Sequence, residues 1–217
     1  MGIFYFPCNF VYWRKIPNHE YLKKNLLQLL ENNPEHFEKH SLIEKGISTY
    51  SSINFSKTLL QCDELINSVV WESLDELIKK LDSRENFKKT GINKSRISTC
   101  WCSKYDKNSV VSCHNHSDVT PHSQNFIIIN NEQYRSTFSM IYIVNDENEK
   151  NQTEFLEPSM LGNNVSSSAE TRFKTCDVDE IGEGTVLIFP SNLYHQVNPI
   201  PKSGRIIMSF NIISTFD

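Results

Sequence analysis

Residues 182–197, with the sequence GEGTVLIFPSNLYHQV, carry the pattern from which the rest of the fold can be predicted. An apolar run that begins after Gly184 ends at Pro190, and a short polar turn separates it from a second run that carries His195. Short runs of β-branched and aromatic residues bounded by Gly, Pro and Asn are typical of strands. The stretch therefore predicts two strands joined by a turn, with His195 on the second strand.

The same pattern recurs from residue 97 onward, without helical segments between the runs. The predicted strands cover residues 97–105, 109–116, 125–130, 136–144, 153–157, 171–177, 184–189, 193–198 and 204–213. Regularly spaced short strands of this kind are typical of an antiparallel barrel or a jelly roll. The fold is therefore predicted to be mainly β.

The first part of the chain shows a different periodicity. Apolar residues recur at helical spacing in residues 18–31 and 63–81, which predicts two amphipathic helices. His36 and His40, four residues apart, are predicted to lie on a further, solvent-exposed helix. A length of 217 residues suits one domain. We therefore expect one domain over 1–217, with a helical support region (1–95) and a strand-rich core (96–217).

Composition limits the classes of function. The mean hydropathy of −0.44 and the lack of a long apolar run argue against a membrane protein. The net charge of −4 argues against binding to duplex nucleic acid, which usually requires a basic face. The first ten residues lack the basic flank and the cleavage site of a signal peptide. We therefore expect a cytoplasmic protein, and the sequence does not indicate its oligomeric state.

Residues 113–118, CHNHSD, are the first candidate for chemistry. Residues i and i+2 of a strand point to the same face, so His114 and His116 project together. His116 and Asp118 also do so if the strand continues. Imidazole and carboxylate ligands suit Fe(II), and three of them on one face leave positions open for substrate and oxygen.

Residues 205–211, RIIMSFN, are the second candidate. Strand alternation places Arg205, Ser209 and Asn211 on one face, and a guanidinium group matches a carboxylate ligand. Together these residues resemble the Fe(II)/2-oxoglutarate-dependent dioxygenase superfamily, and most closely a 2OG-Fe(II) oxygenase group of bacteria and phages. The resemblance rests on motifs in a shared order: Trp101, Tyr105, His114-Asn115-His116, Ser139–Val144, FPSxxxHxV (189–197) and RxxxSFN (205–211).

The resemblance implies a double-stranded β-helix (jelly roll) core packed by two or three helices. It implies that His114, His116 and His195 bind Fe(II), with Asp118 as the alternative third ligand in place of His114. The resemblance also implies a set of residues that bind the cosubstrate 2-oxoglutarate, namely Arg205, Tyr105, Ser209 and Asn211.

The activity implied is that of a dioxygenase that uses O2, converts 2-oxoglutarate to succinate and hydroxylates a substrate, with no catalytic residues beyond the metal ligands. The substrate could be a peptide, a small molecule or a nucleobase. Residues 117–136 and 145–170 are the expected substrate mouth.

Other functions remain open from the sequence. A cupin-like metal enzyme would share the three histidines but would not need Arg205. A non-enzymatic relative could have kept the fold. A zinc-binding module would use some of the cysteines and histidines that cluster in sequence, which are Cys100, Cys102, Cys113, His114, His116 and His122.

Overall fold

The computed structural model describes residues 1–5, 9–83, 90–117, 126–146, 153–156 and 172–217. The strands are β1 (Gly2–Tyr5), β2 (Phe10–Lys15), β3 (Glu38–Lys39), β4 (Ile43–Ser48), β5 (Ile92–His114), β6 (Ile127–Ile129), β7 (Glu132–Asn145), β8 (Thr153–Leu156), β9 (Arg172–Lys174), β10 (Thr185–Pro190), β11 (Tyr194–Val197) and β12 (Arg205–Phe216). The helices are α1 (His19–Glu31), α2 (Ile53–Leu60), α3 (Asp63–Leu65) and α4 (Glu72–Asp82).

The strands form a curled antiparallel sheet in the order β1-β2-β10-β7-β12-β5-β11-β8-β9. β5 is the element that curls it, because its first part pairs with β12 and its last part pairs with β11. Between these parts the chain turns at Asn108, which has a left-handed φ of 65°. The two strands predicted over 97–105 and 109–116 are therefore the two arms of one bent element.

The two faces of the sheet pack against different partners. On β12, Met208 and Phe210 face the helices and share a core with Leu26 and Leu77. The alternate residue Ile207 faces the interior of the curl, in a second core. This division follows from the period-2 alternation of strand side chains. The predicted mainly β fold, with helices packed against a jelly-roll core, is confirmed.

The N-terminal region differs from its prediction as a helical support. It holds four strands as well as the helices, and β2 pairs with β10 inside the main sheet. The sequence of β2 accounts for this, because Val11 packs in the interior core while Tyr12 packs in the helix-facing core. Alternating large residues satisfy both faces of a strand, so the predicted helical support region also contributes strands to the sheet.

The predicted helices are present with local changes. Residues 18–31 form α1, which buries Leu22, Leu26 and Leu30. Residues 63–81 form α3 and α4, but a π-helical segment (Ile66–Trp71) joins them. His36 ends a 3-10 turn and His40 follows β3, so these two histidines do not share a helix as predicted. Within the described ranges, none of the helices has the length and apolarity needed to cross a membrane.

Candidate metal centre

Three histidines meet at one edge of the curled sheet. His114 ends β5, and His195 on β11 is its direct register partner. His116 lies two residues beyond His114, and its main-chain N–H donates to the carbonyl oxygen of Ser191 at 2.8 Å. One ring nitrogen from each histidine lies within 4.8 Å of the others. The group could therefore hold a metal ion.

The hydrogen bonds of the rings fix which nitrogen carries the proton. Nδ1 of His114 lies 2.7 Å from the carbonyl oxygen of Ser112, and Nδ1 of His195 lies 3.2 Å from that of Leu193. A carbonyl oxygen only accepts, so Nδ1 is the donor in both rings. Each Nε2 is then left with a free lone pair, which is the form that binds a metal.

Nδ1 of His116 is also the donor nitrogen, but its acceptor is a side-chain oxygen. Its Nδ1 lies 2.7 Å from Oδ1 of Asn211. Its Nε2 is buried and has no hydrogen-bond partner among the residues that the structure describes. An orphaned buried nitrogen is costly unless something binds it. The three imidazoles thus fit a divalent metal in their donor set, their tautomers and their convergence.

Electrostatics favour the neutral rings. Burial lowers the pKa of His116 to about 4, with a further contribution from neighbouring His114. Burial also lowers the pKa of His114, and it lowers that of His195 well below the usual value. Neutral imidazole is the ligand form, so metal binding at pH 7 would release few protons from these residues.

The histidines open into a cavity of about 480 Å³. This volume lies within the range of small-molecule sites. Among the predicted cosubstrate residues, Tyr105, Ser209 and Asn211 line the cavity together with the three histidines. Arg205 is not among the described residues that line it.

Sequence comparisons give no match. No protein-family model matches the chain, and no curated protein sequence is similar to it. Comparison with solved structures does find similar folds. An oxidoreductase of the 2OG-Fe(II) oxygenase family from Burkholderia pseudomallei has a TM-score of 0.58 at 11% identity, over 93% of this chain and 83% of that chain.

Two other solved structures have similar scores. OsALKBH1 has a TM-score of 0.57 at 12% identity, over 96% of this chain and 99% of that chain. HygX from Streptomyces hygroscopicus, with nickel and 2-oxoglutarate bound, has a TM-score of 0.56 at 12% identity, over 94% of this chain and 82% of that chain. The fold is that of the 2OG-Fe(II) oxygenases. The expected resemblance is thus confirmed at the level of the fold.

Within this oxygenase fold, Arg205 lies on the same face of β12 as Ser209 and Asn211. It is the first residue of the strand, and the other two follow it. Its side chain is only 1% exposed. Its guanidinium carbon lies 5.5 Å from the ring centroid of Tyr105, and its Nη2 donates to Oγ1 of Thr153 at 3.2 Å. Burial lowers the pKa of Arg205, while Tyr105 and Asp146 raise it. Tyr105, which lines the cavity, is therefore in contact with the guanidinium.

Asn211 has contacts that the sequence did not indicate. Its side-chain amide donates to Oγ1 of Thr99 at 3.0 Å, and its Oδ1 accepts from Oγ of Ser139 at 3.1 Å. The same oxygen accepts from His116. Asn211 thus orients a candidate metal ligand of the oxygenase fold, and its predicted contact with the cosubstrate stays a prediction.

Sequence reasoning missed one wall of the cavity, which comes from the segment around β3 and β4. His40, Leu42, Ile43 and Tyr50 line it. Pairing of β4 with β5 brings this segment to the histidines. No local sequence motif indicates that pairing. Residues 118–125, which include Asp118 and His122, lie outside the described residues, as do residues 147–152 and 157–170.

The cysteines of the zinc hypothesis lie elsewhere. Cys100 and Cys102 are buried, and burial raises the pKa of the Cys100 thiol to about 11. Burial also raises the pKa of Cys102. Both changes disfavour the thiolate that zinc requires. In the part of the chain that the structure describes, no cysteine joins the histidine group.

A second cluster, His19, Glu20 and Glu183, lies near the start of α1. Lys23 is already paired with Glu183 at 2.5 Å, and Nδ1 of His19 lies 2.7 Å from the hydroxyl of Tyr142. The Glu183 carboxylate and the His19 ring therefore already have polar partners. This cluster is therefore an ion-pair network that ties α1 to the sheet.

Proposed function

We propose that the chain is an Fe(II)- and 2-oxoglutarate-dependent oxygenase that hydroxylates an organic substrate. The observation that carries the proposal is the convergence of His114, His116 and His195, each with Nδ1 donated to an oxygen. Three imidazole ligands leave positions open on a six-coordinate metal, as a cosubstrate and oxygen require. The likeness of the fold to a member of the 2OG-Fe(II) oxygenase family, and to HygX with nickel and 2-oxoglutarate bound, supports the same class.

In this proposal each residue has a limited task. The three histidines hold the metal as neutral ligands. Arg205 supplies a buried positive charge that favours the distal carboxylate of 2-oxoglutarate, and Tyr105, which lines the cavity, contacts that charge. When bound, iron and 2-oxoglutarate with O2 supply the oxidation of a substrate C–H bond, with succinate and CO2 as the co-products.

The interior core of the curled sheet serves the same chemistry by excluding water. Phe189 contacts the ring of His195 at 4.9 Å between centroids, and Phe155 lies 5.9 Å from it. These aromatic rings leave little room for solvent behind the ligand. Exclusion of water from this side of the site would strengthen electrostatic interactions at the metal and limit side reactions.

The test is an anaerobic titration of Fe(II) into the metal-free protein in the presence of 2-oxoglutarate. We expect the weak visible absorption band of an Fe(II)–2-oxoglutarate chelate. The band should disappear in His195→Ala and should need much more 2-oxoglutarate in Arg205→Ala. The matched controls are His36→Ala and Arg172→Ala, because neither residue lines the cavity.

Two other results would contradict the proposal. Metal binding without the band would favour a cupin-like metal enzyme that does not use 2-oxoglutarate. Binding of neither metal nor 2-oxoglutarate would mean that the fold has been kept without the activity. If the band is observed, release of succinate that depends on a candidate substrate would test the oxidation of that substrate.

A further inference from the structure

A run of aromatic rings leads outward from the metal centre. The indole of Trp101 stacks on the imidazole of His116, with centroids 5.8 Å apart and an interplanar angle of 16°. Tyr50 meets Trp101 edge-on at 5.0 Å, and His40 meets Tyr50 edge-on at 4.9 Å. Trp101, Tyr50 and His40 all line the cavity. We call these three residues the aromatic wall.

The aromatic wall is fixed in place by the backbone beneath it. The N–H of Thr49 donates to the carbonyl oxygen of Cys102 at 2.9 Å, and the N–H of Cys102 donates to Oγ1 of Thr49 at 3.0 Å. The N–H of Tyr50 donates to Oγ of Ser48 at 3.2 Å. These bonds tie the residues around Tyr50 to β5, so the ring is positioned before a ligand arrives.

Tyr50 is nevertheless 51% exposed. An exposed aromatic ring at the edge of a cavity has free apolar surface, which a ligand would cover. Rings of this kind prefer offset or edge-on contact with a second ring. The wall is therefore suited to a planar group that enters the cavity alongside it.

The charges around the cavity further limit the kinds of ligand that fit beside the aromatic wall. Among the residues that the structure describes, the cavity lining includes no Asp, Glu, Lys or Arg. Burial lowers the pKa of His40, which favours the neutral imidazole. The positive charge assigned to 2-oxoglutarate, that of Arg205, lies against Tyr105 and not against the aromatic wall. An ionised group beside the aromatic wall would lose hydration without a charged partner among the three wall residues. The aromatic wall thus favours an uncharged group.

We propose that the aromatic wall binds an uncharged planar ring of the substrate and holds it beside the metal centre. This proposal rests on the proposed function, because it takes the bound ring to be part of the substrate of an oxygenase. The ring can belong to an aromatic side chain or to a small heterocycle, since both present the same planar uncharged surface. Tyr50 is the specificity-determining residue in this arrangement.

The test compares four probes by ligand-observed NMR titration of the full chain without metal. Benzyl alcohol is planar and uncharged, and cyclohexylmethanol is its saturated counterpart. Benzylamine and phenylacetate carry the same ring with a positive and a negative charge. Aromatic contacts of this type correspond to about a two- to tenfold gain in affinity. We expect benzyl alcohol to bind about that much more tightly than cyclohexylmethanol, and also to bind more tightly than benzylamine.

Variants of Tyr50 assign the binding to the wall. Tyr50→Leu should remove the preference for benzyl alcohol over cyclohexylmethanol, and Tyr50→Phe should keep it. The matched control is Tyr21→Leu, because Tyr21 is 54% exposed on α1 and does not line the cavity. Thermal unfolding of each variant checks that the fold is intact, and Tyr50→Phe keeps the test decisive if Tyr50→Leu is destabilised.

Three results would overturn the proposal. The first is absence of benzyl alcohol binding, or equal binding of benzyl alcohol and cyclohexylmethanol. The second is an unchanged preference in Tyr50→Leu. The third is tighter binding of a charged ring that Tyr50→Leu weakens. Because these titrations need neither iron nor 2-oxoglutarate, their failure is distinguishable from failure of the proposed function, which the Fe(II) titration tests.

Discussion

Nδ1 of His116 donates a 2.7 Å hydrogen bond to Oδ1 of Asn211. Asn211 is itself held on both sides of its amide, by Thr99 through Nδ2 and by Ser139 through Oδ1. The amide therefore cannot rotate without losing two further bonds. This network fixes the tautomer and the direction of His116, so the strand β12 controls a ligand that belongs to the end of β5.

The first prediction concerns this bond. Asn211→Ala should weaken metal binding by about 10–100-fold, which is the usual cost of losing the partner of a metal-ligating histidine. The reason is that His116 loses the acceptor that keeps its proton on Nδ1. Isothermal titration calorimetry with Zn(II) on the metal-free protein measures the effect without any turnover.

The matched control is Asn93→Ala. Asn93 is an exposed residue whose amide donates to Asp217 at 2.9 Å, far along the chain from the histidines. Zn(II) affinity should be unchanged in this variant. An Asn211→Ala protein that melts normally and binds Zn(II) as tightly as the wild type would show that His116 needs no such support.

Much of the fold could be predicted because strand signals are local. The runs around Val186 and Ile207 alternate or are continuously apolar, and the structure has strands at both places. The i, i+2 rule placed His114 and His116 on one face, and the resemblance added His195 to the same group. In these segments the local pattern and the tertiary packing agree.

The rest depended on contacts between distant segments. β2 is a strand because β10 lies beside it, and pairing of Ile188 with Tyr12 spans most of the chain. Tyr50 reaches the cavity because β4 pairs with β5, with Ile47 opposite Lys104. Neither pairing leaves a local signal. The role of Asn211 was hidden for the same reason, because its partner His116 lies 95 residues away.

The second prediction distinguishes the two possible third ligands. His114→Ala should lower Zn(II) affinity by more than the loss of a supporting hydrogen bond does, because a direct ligand is removed. Asp118→Ala should leave the affinity unchanged. The reason is that one ring nitrogen of His114 lies within 4.8 Å of one from His116 and one from His195. The opposite pattern, with Asp118→Ala losing metal and His114→Ala keeping it, would establish the His-x-Asp alternative.

The third prediction concerns pH. The pKa of His116 is lowered to about 4 in the folded protein, against 6.5 when exposed. Between these values the unfolded chain binds a proton that the folded chain does not. The contribution of the neutral His116 to folding stability is therefore complete above about pH 6.5 and decreases as the pH falls toward 4. For His116 alone, the free energy of unfolding should drop by about 2 kcal/mol between pH 7.5 and pH 5.

Urea unfolding of the metal-free protein at both pH values measures this drop. Carboxylates titrate mostly below this window, so the histidines dominate the change. His116→Asn removes one titrating group and should reduce the pH dependence by about the same 2 kcal/mol. If His116→Asn and the wild type lose equal stability on acidification, the folded His116 is not held neutral.

The fourth prediction concerns Gly184, which precedes β10. Its φ of 78° is left-handed, and an added Cβ would lie 2.9 Å from Cγ of His19. Its backbone is held on both sides, because its N–H donates to Ile143 and its carbonyl accepts from Ile16, each at 2.9 Å. The chain therefore cannot relax locally, and Gly184→Ala should lower the free energy of unfolding by at least about 1–3 kcal/mol. Gly182→Ala is the matched control, since nothing lies within 4 Å of its added Cβ. Equal urea midpoints for the two variants would mean that His19 moves aside without cost.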